Sequence, residues 1–284
     1  MDDVNLLKIF SVLLIFMAFL TSLTMASLSV VVTIPPLGYA MEEIGGSAVS
    51  VNVLERAGDN PHNFNLTPQQ AVIISKASML VDLGLEEDAW IAEKVKSINP
   101  SIDIVDATQG LSQFLIGDPG AYNPHVWLDV KLYEMMAINL YGSLVKVDPK
   151  DQTIFSLNLA TFMISLNELD EEVRIIMMKI KGKSFVAQHP AWDYFARAYG
   201  LGFEYSLEND SGQTIGPKDY KRITEAMKKY GIRSIIGDPV TSSKLANQLS
   251  SETGATIIDI NPIFTFNYFD LMRSVTNGFL EALK

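Results

Sequence analysis

The 284-residue chain contains no cysteine. That absence removes disulfides, thiolate metal sites and thiol nucleophiles, and leaves any metal to nitrogen and oxygen donors. Positive charge is also short, with 22 Lys and Arg against 33 Asp and Glu and a formal net charge of −11. Such a surface cannot neutralise a phosphate backbone, which argues against a nucleic-acid partner, but it attracts cations. Long apolar runs are missing as well. The best, Ile9–Leu23 (IFSVLLIFMAFLTSL), is 15 residues, short for a membrane span and suited to the core of a signal peptide. Small residues in Thr24–Ser27 offer cleavage after Ala26, although Asp2 and Asp3 oppose the lone Lys8 before the run. Residues 1–27 are therefore expected to be a signal peptide or an uncleaved N-terminal anchor. The protein is expected to be exported, periplasmic or at the cell surface. Lacking cysteine, it cannot carry a lipoprotein's lipid.

After Ser27 short β-like runs alternate with helical ones. LSVVVTI, VSVNVL, SMLVDLG and IDIVDA read as strands, with helices in PLGYAMEEIG, in TPQQAVIISKA and over Glu86–Ser97. Thr67 is the expected N-cap of the second of these, with Pro68 at its first position. Strands alternating with helices imply parallel βαβ units. The rhythm breaks between about Pro149 and Lys181, a long amphipathic stretch without internal Gly or Pro, and resumes in KSFVAQ, FEYSLE, IRSIIG and ATIIDI before a last helix, Phe269–Leu283. The expected fold is α/β: two lobes, 28–147 and 184–284, with mostly parallel sheets. One long rigid helix within 148–183 joins them, and the ligand cleft lies between the lobes.

Imidazole is the scarcest chemistry-bearing group. The three histidines are His62 (DNPHNF), His125 (YNPHVW) and His189 (AQHPAW), each beside a proline. Proline fixes φ and stiffens the loop, which suits a ligand that must hold its position. His62 and His189 follow predicted strands, where open α/β sheets gather ligands, and His125 precedes a helix that Asp129 should cap. The spacing rules out local motifs such as HExxH, so any site must be assembled by the fold. A fourth, oxygen ligand is best sought at Asp259 in TIIDINP, with Asp238, Glu208, Asp82 and Asp106 as competitors. Two decoys carry nothing: Gly182–Ser184 ends like a P-loop, but Met177 replaces its first glycine, and Gly200–Gly202 lacks the third glycine of a dinucleotide fingerprint.

At these residues the chain resembles the solute-binding proteins of zinc and manganese ABC importers, the ZnuA/TroA-like group. NPHNFNLTPQQ, NPHVWLDV, HPAWDYFARAYGL and IIDINPI match that group's ordered motifs from about Val30 to the C-terminus. The resemblance implies metal ligands His62, His125, His189 and Asp259, and a rigid inter-lobe helix that lets the lobes move little. It also implies a membrane permease as partner and a monomer that is not an enzyme. Asn60 and Asn123 stand where aspartate is more frequent, Gly216-Pro217 where Glu-Pro-Ser is common, and the histidine-rich loop of many zinc members is absent. Three imidazoles and a carboxylate suit Zn2+, with Mn2+ the alternative cargo, and not Mg2+ or Ca2+. Two rival readings are a zinc-dependent hydrolase built on the three histidines, with an acid as general base, and a surface adhesin of the same fold.

Overall fold

The computed structural model describes residues 27–55, 66–86, 89–209, 212–240, 243–263 and 265–284. The N-terminal apolar run and the loop carrying His62 lie outside the described residues. Four parallel strands form the first sheet: β1 (Leu28–Val32), β2 (Val49–Val53), β3 (Met79–Asp82) and β4 (Asp103–Asp106), in the order β2-β1-β3-β4. Parallel neighbours need crossovers, supplied by α1 (Pro35–Gly45), α2 (Pro68–Ile74) and α3 (Ala89–Ile98). Val30, Val31 and Val32 are completely buried, the continuous apolar run expected of a strand covered on both faces. Thr67 caps α2 in a reciprocal box with Gln70, as the TPQQ pattern predicts.

A two-residue-per-strand hairpin, β5 (Gly117–Asp118) and β6 (Ala121–Tyr122), follows, then α4 (Val130–Val147). Asp129 caps α4, its Oδ1 accepting from the backbone N–H of Lys131 at 2.9 Å and Leu132 at 3.4 Å. The long helix is α5 (Gln152–Met177), 26 residues flanked by 3-10 turns at Pro149–Asp151 and Met178–Ile180. At 1.5 Å per residue it runs about 39 Å. The second sheet contains β7 (Phe185–Ala187), β8 (Glu204–Ser206), β9 (Ser234–Gly237) and β10 (Thr256–Asp259), all parallel, in the order β10-β9-β7-β8. Its helices are α6 (Asp193–Tyr199), α7 (Pro217–Tyr230) and α8 (Lys244–Thr253), and α9 (Tyr268–Leu283) ends the chain.

Numbered from its own first strand, each sheet has the order second, first, third, fourth. The two lobes are thus topological copies.

The long helix is more than a spacer. Phe155, Phe162, Leu166, Leu169, Val173 and Met177 bury one face of α5 against α1, α4 and α9. The resulting core is continuous, from Val30 and Leu37 through Tyr133 and Leu166 to Phe185, Phe195 and Phe279. Tyr133 and Tyr268 stack at 3.7 Å and 16°, and their hydroxyls donate to the carbonyls of Pro36 and Trp127, each at 2.6 Å. Relative motion of the lobes would break close-packed contacts that resist continuous deformation, so the joint is stiff.

Candidate metal centre

His189 emerges where β7 stops pairing. Gln188 N–H still donates to Ile236 at 2.8 Å and Leu207 N–H to Ala187 at 2.9 Å, while Ala191 N–H closes a turn onto His189 at 2.9 Å. The imidazole therefore stands just beyond the carboxyl edge of the second sheet. His125 arrives from the other lobe. Asn123 N–H donates to Ile116 at 2.8 Å, anchoring the strand of the short hairpin, and Val126–Leu128 form a 3-10 turn ahead of Asp129. Between those fixed points the His125 ring is buried, 5.2 Å from the Trp127 ring and 5.3 Å from the His189 ring, edge to face at 69°. Two of the three histidines are thus brought together, one from each lobe.

Burial, reinforced by the nearby His189, pushes the His125 pKa well below the usual histidine value. The ring is neutral at neutral pH, the state a metal requires of an imidazole. His189 is partly open, with Nδ1 3.9 Å from Glu208 Oε2. The Glu208 carboxyl is raised above the ordinary range by burial, against a lowering hydrogen bond from Gln188.

Of the competing acids, Glu208 stands beside His189, while the three aspartates are used locally. Asp82 Oδ1 accepts from Gly84 N–H at 3.1 Å, Asp106 Oδ1 from Thr108 N–H at 2.8 Å and Asp238 Oδ1 from Val240 N–H at 2.9 Å. Each closes its own turn, the structural use of an aspartate at a strand end. Asp259 is exposed at the end of β10, paired in register with Gly237, and no donor among the described residues binds its carboxylate. A methyl group on Gly237 would lie 2.4 Å from Asp259 Oδ1, so this glycine leaves the room the carboxylate occupies. Among the described residues no three His, Asp or Glu side chains are grouped closely enough to hold a metal; His62 is not one of those residues.

Sequence patterns missed the residues that tie the lobes here. Trp127 Nε1–H donates to Pro262 at 2.9 Å, joining the His125 turn to the loop after Asp259. Tyr194 O–H donates to the Asn123 carbonyl at 3.0 Å and accepts from Ile116 N–H at 3.0 Å. The aromatics of YNPHVW and HPAWDY were visible, but their partners are far away in sequence.

The profile of the ZnuA family, zinc-uptake complex component A, periplasmic, matches residues 30–282. The chain belongs to the ZnuA family. Within it, the chain is 26% identical over 279 residues to the high-affinity zinc uptake system protein ZnuA of Bacillus subtilis, covering 90% of this chain and 88% of that protein. It is 27% identical over 260 residues to the zinc-binding protein AdcA of Streptococcus pyogenes, covering 82% of this chain and 50% of AdcA. The chain thus spans about half the length of the AdcA relatives it matches. A crystal structure of ZnuA superposes with a TM-score of 0.84 at 27% identity, covering 91% of this chain and all of that one. This ZnuA-family fold has two parallel sheets and a long helix between them. The family is extracytoplasmic, and no helix among the described residues is long and apolar enough to cross a membrane.

Proposed function

We propose that this ZnuA-family chain is an extracytoplasmic receptor that captures one divalent transition-metal ion between its lobes and hands it to the permease of an ABC importer. The lobes are assigned to residues 28–147 and 184–284, with 148–183 joining them. Zn2+ is the favoured cargo and Mn2+ the second. His62, His125, His189 and Asp259 are its ligands, the protein acts as a monomer, and residues 1–27 direct export or anchor the chain. The supporting observation is the convergence of His125 and His189, one from each lobe, with their ring centroids 5.3 Å apart. Two imidazoles with carboxylate help suit a borderline cation and not an oxygen-seeking one. In this reading Asp259 binds the ion directly and completes a four-coordinate shell, which leaves no position for an activated water and no catalytic role. Calorimetric titration of metal-stripped protein with zinc checks the proposal. One ion per chain is expected, lost in His125→Ala/His189→Ala, and a wild-type protein that takes up neither zinc nor manganese would sink it. Because imidazoles must be deprotonated to bind, affinity should fall below about pH 6.

A further inference from the structure

Asn123 lies between the two histidines. Its side chain is buried, and its oxygen meets two nitrogens of one residue. His125 N–H donates to Asn123 Oδ1 at 3.0 Å, and His125 Nδ1 lies 2.9 Å from the same atom. A backbone N–H can only donate, so the atom it faces is the amide oxygen and not the amide nitrogen. That settles the amide's orientation. An amide oxygen can only accept, so Nδ1 carries the hydrogen of the neutral ring and Nε2 holds the bare lone pair. At the other end Asn123 Nδ2 donates to the carbonyl of Pro190, the residue after His189, at 2.9 Å, with Asp193 Oδ2 at 3.5 Å. The Asn123 main chain is engaged too, accepting from Tyr194 O–H at 3.0 Å and donating to Ile116 at 2.8 Å. Every polar group of the residue has a partner. Satisfied buried networks of this kind are rigid.

We propose that Asn123 is a positioning residue with two simultaneous tasks: it holds His125 in the Nδ1–H tautomer, so that Nε2 is the donor atom, and it bolts the His125 loop to the His189 loop. The inference rests on the reading of His125 and His189 as ligands for its consequence, though not for its geometry. It accounts for asparagine at this position. Aspartate would accept from His125 equally well, but it has no proton for Pro190, and its carboxylate would face the Pro190 carbonyl and the Asp193 carboxylate. Leucine would fill the volume and do neither task. Hydrogen-bond partners of ligating histidines fix tautomer and ring orientation in general; here the same side chain also sets the separation of two ligands from different lobes.

With only three histidines in the chain, the tautomer is directly readable. Long-range proton–nitrogen correlation spectra of metal-stripped, nitrogen-15-labelled protein at neutral pH should show His125 protonated on Nδ1. Asn123→Leu should lose that preference and weaken zinc binding roughly 10–100-fold. Asn123→Asp, close in shape, should restore the tautomer while amide hydrogen exchange of the segment after His189 becomes faster than in wild type, because the bond to Pro190 is gone. Wild-type His125 protonated on Nε2, or Asn123→Leu with unchanged tautomer and zinc affinity, would overturn the first task. Unchanged exchange in Asn123→Asp would overturn the second. Both spectroscopic readouts use metal-free protein, so a wild type that binds no metal would defeat the receptor proposal and leave this one to be judged by its own outcomes.

Discussion

Both lobes end their fourth strand on aspartate, Asp106 on β4 and Asp259 on β10, at the same place in the same strand order. In the first lobe the acid is consumed locally. Asp106 Oδ1 accepts from Thr108 N–H at 2.8 Å and from Thr108 Oγ1 at 3.2 Å, while the Gln109 N–H donates to the Asp106 main-chain carbonyl at 3.4 Å. In the second lobe Asn261 stands at the place of Thr108, and Pro262, which has no N–H, at the place of Gln109. Asn261 closes the turn with its own side chain instead, Oδ1 accepting from Ile263 N–H at 2.7 Å. Among the described residues nothing donates to the Asp259 carboxylate. A repeated fold therefore repeats the position of an acid and not its employment, and the two or three residues after the strand decide which.

The largest effect should come from deleting each acid in turn. Asp259→Ala should cost more zinc affinity than the roughly 10–100-fold that outer-shell partners are worth, with melting temperature unchanged. Asp106→Ala should do the reverse. Its zinc affinity should match wild type, while losing a hydrogen-bonded carboxylate cap should cost about 1–3 kcal/mol of stability. Calorimetry and scanning calorimetry together read both, and a zinc loss in Asp106→Ala would break the comparison.

A second pair of substitutions sharpens it. Gly84 in the first lobe has φ of 71°, and a Cβ there would lie 2.1 Å from Asp106 Cγ. Gly84→Ala should therefore destabilise by about 1–3 kcal/mol through left-handed strain and collision. At Gly237 the added Cβ meets the exposed Asp259 carboxylate and Ile257 Cγ2 at 2.7 Å. Gly237→Ala should lower zinc affinity several-fold by displacing that carboxylate, with the smaller loss of melting temperature of the two. Equal melting losses with no change in zinc binding would contradict the role given to the carboxylate.

The smallest expected effect concerns pH. His125 sits against Trp127 with its pKa lowered by burial, so the unfolded chain binds a proton there more readily than the folded one. Stability is thus fully present above the unfolded value of about 6.5 and is lost as pH falls toward the depressed folded value. Melting curves of metal-free protein should show this decline, and His125→Gln should flatten it. A decline identical in the variant would assign the acid sensitivity to another group.

Much of this was legible beforehand. Alternating strand and helix periods announced parallel βαβ units, Thr67 and Asp129 announced their caps, and the break after Pro149 announced the long helix. The proline-flanked histidines suggested a shared site; His125 and His189 are brought together, and His62 lies outside the described residues. What escaped was non-local or very short. The hairpin of Gly117–Asp118 and Ala121–Tyr122 has two residues per strand, too few for any alternation to register. Helix α5 read as a joint between lobes because its amphipathic pattern says that one face is buried, without saying against what. Asn123 looked like a missing charge, and only the approach of Pro190 gave its amide a second task.

The amino-acid sequence by itself determined the elements, their caps and the inventory of donors: no thiolate, three imidazoles and several strand-end acids. Those follow from local periodicity and from the chemistry of each side chain, which travel with the chain. Only the tertiary structure decided which donors meet. The order of strands, the core shared through α5 and the bonds across the lobes place His125 beside His189 and leave Asp259 without a donor among the described residues. Contacts between residues distant along the chain depend on how separate surfaces pack, and no local pattern encodes that.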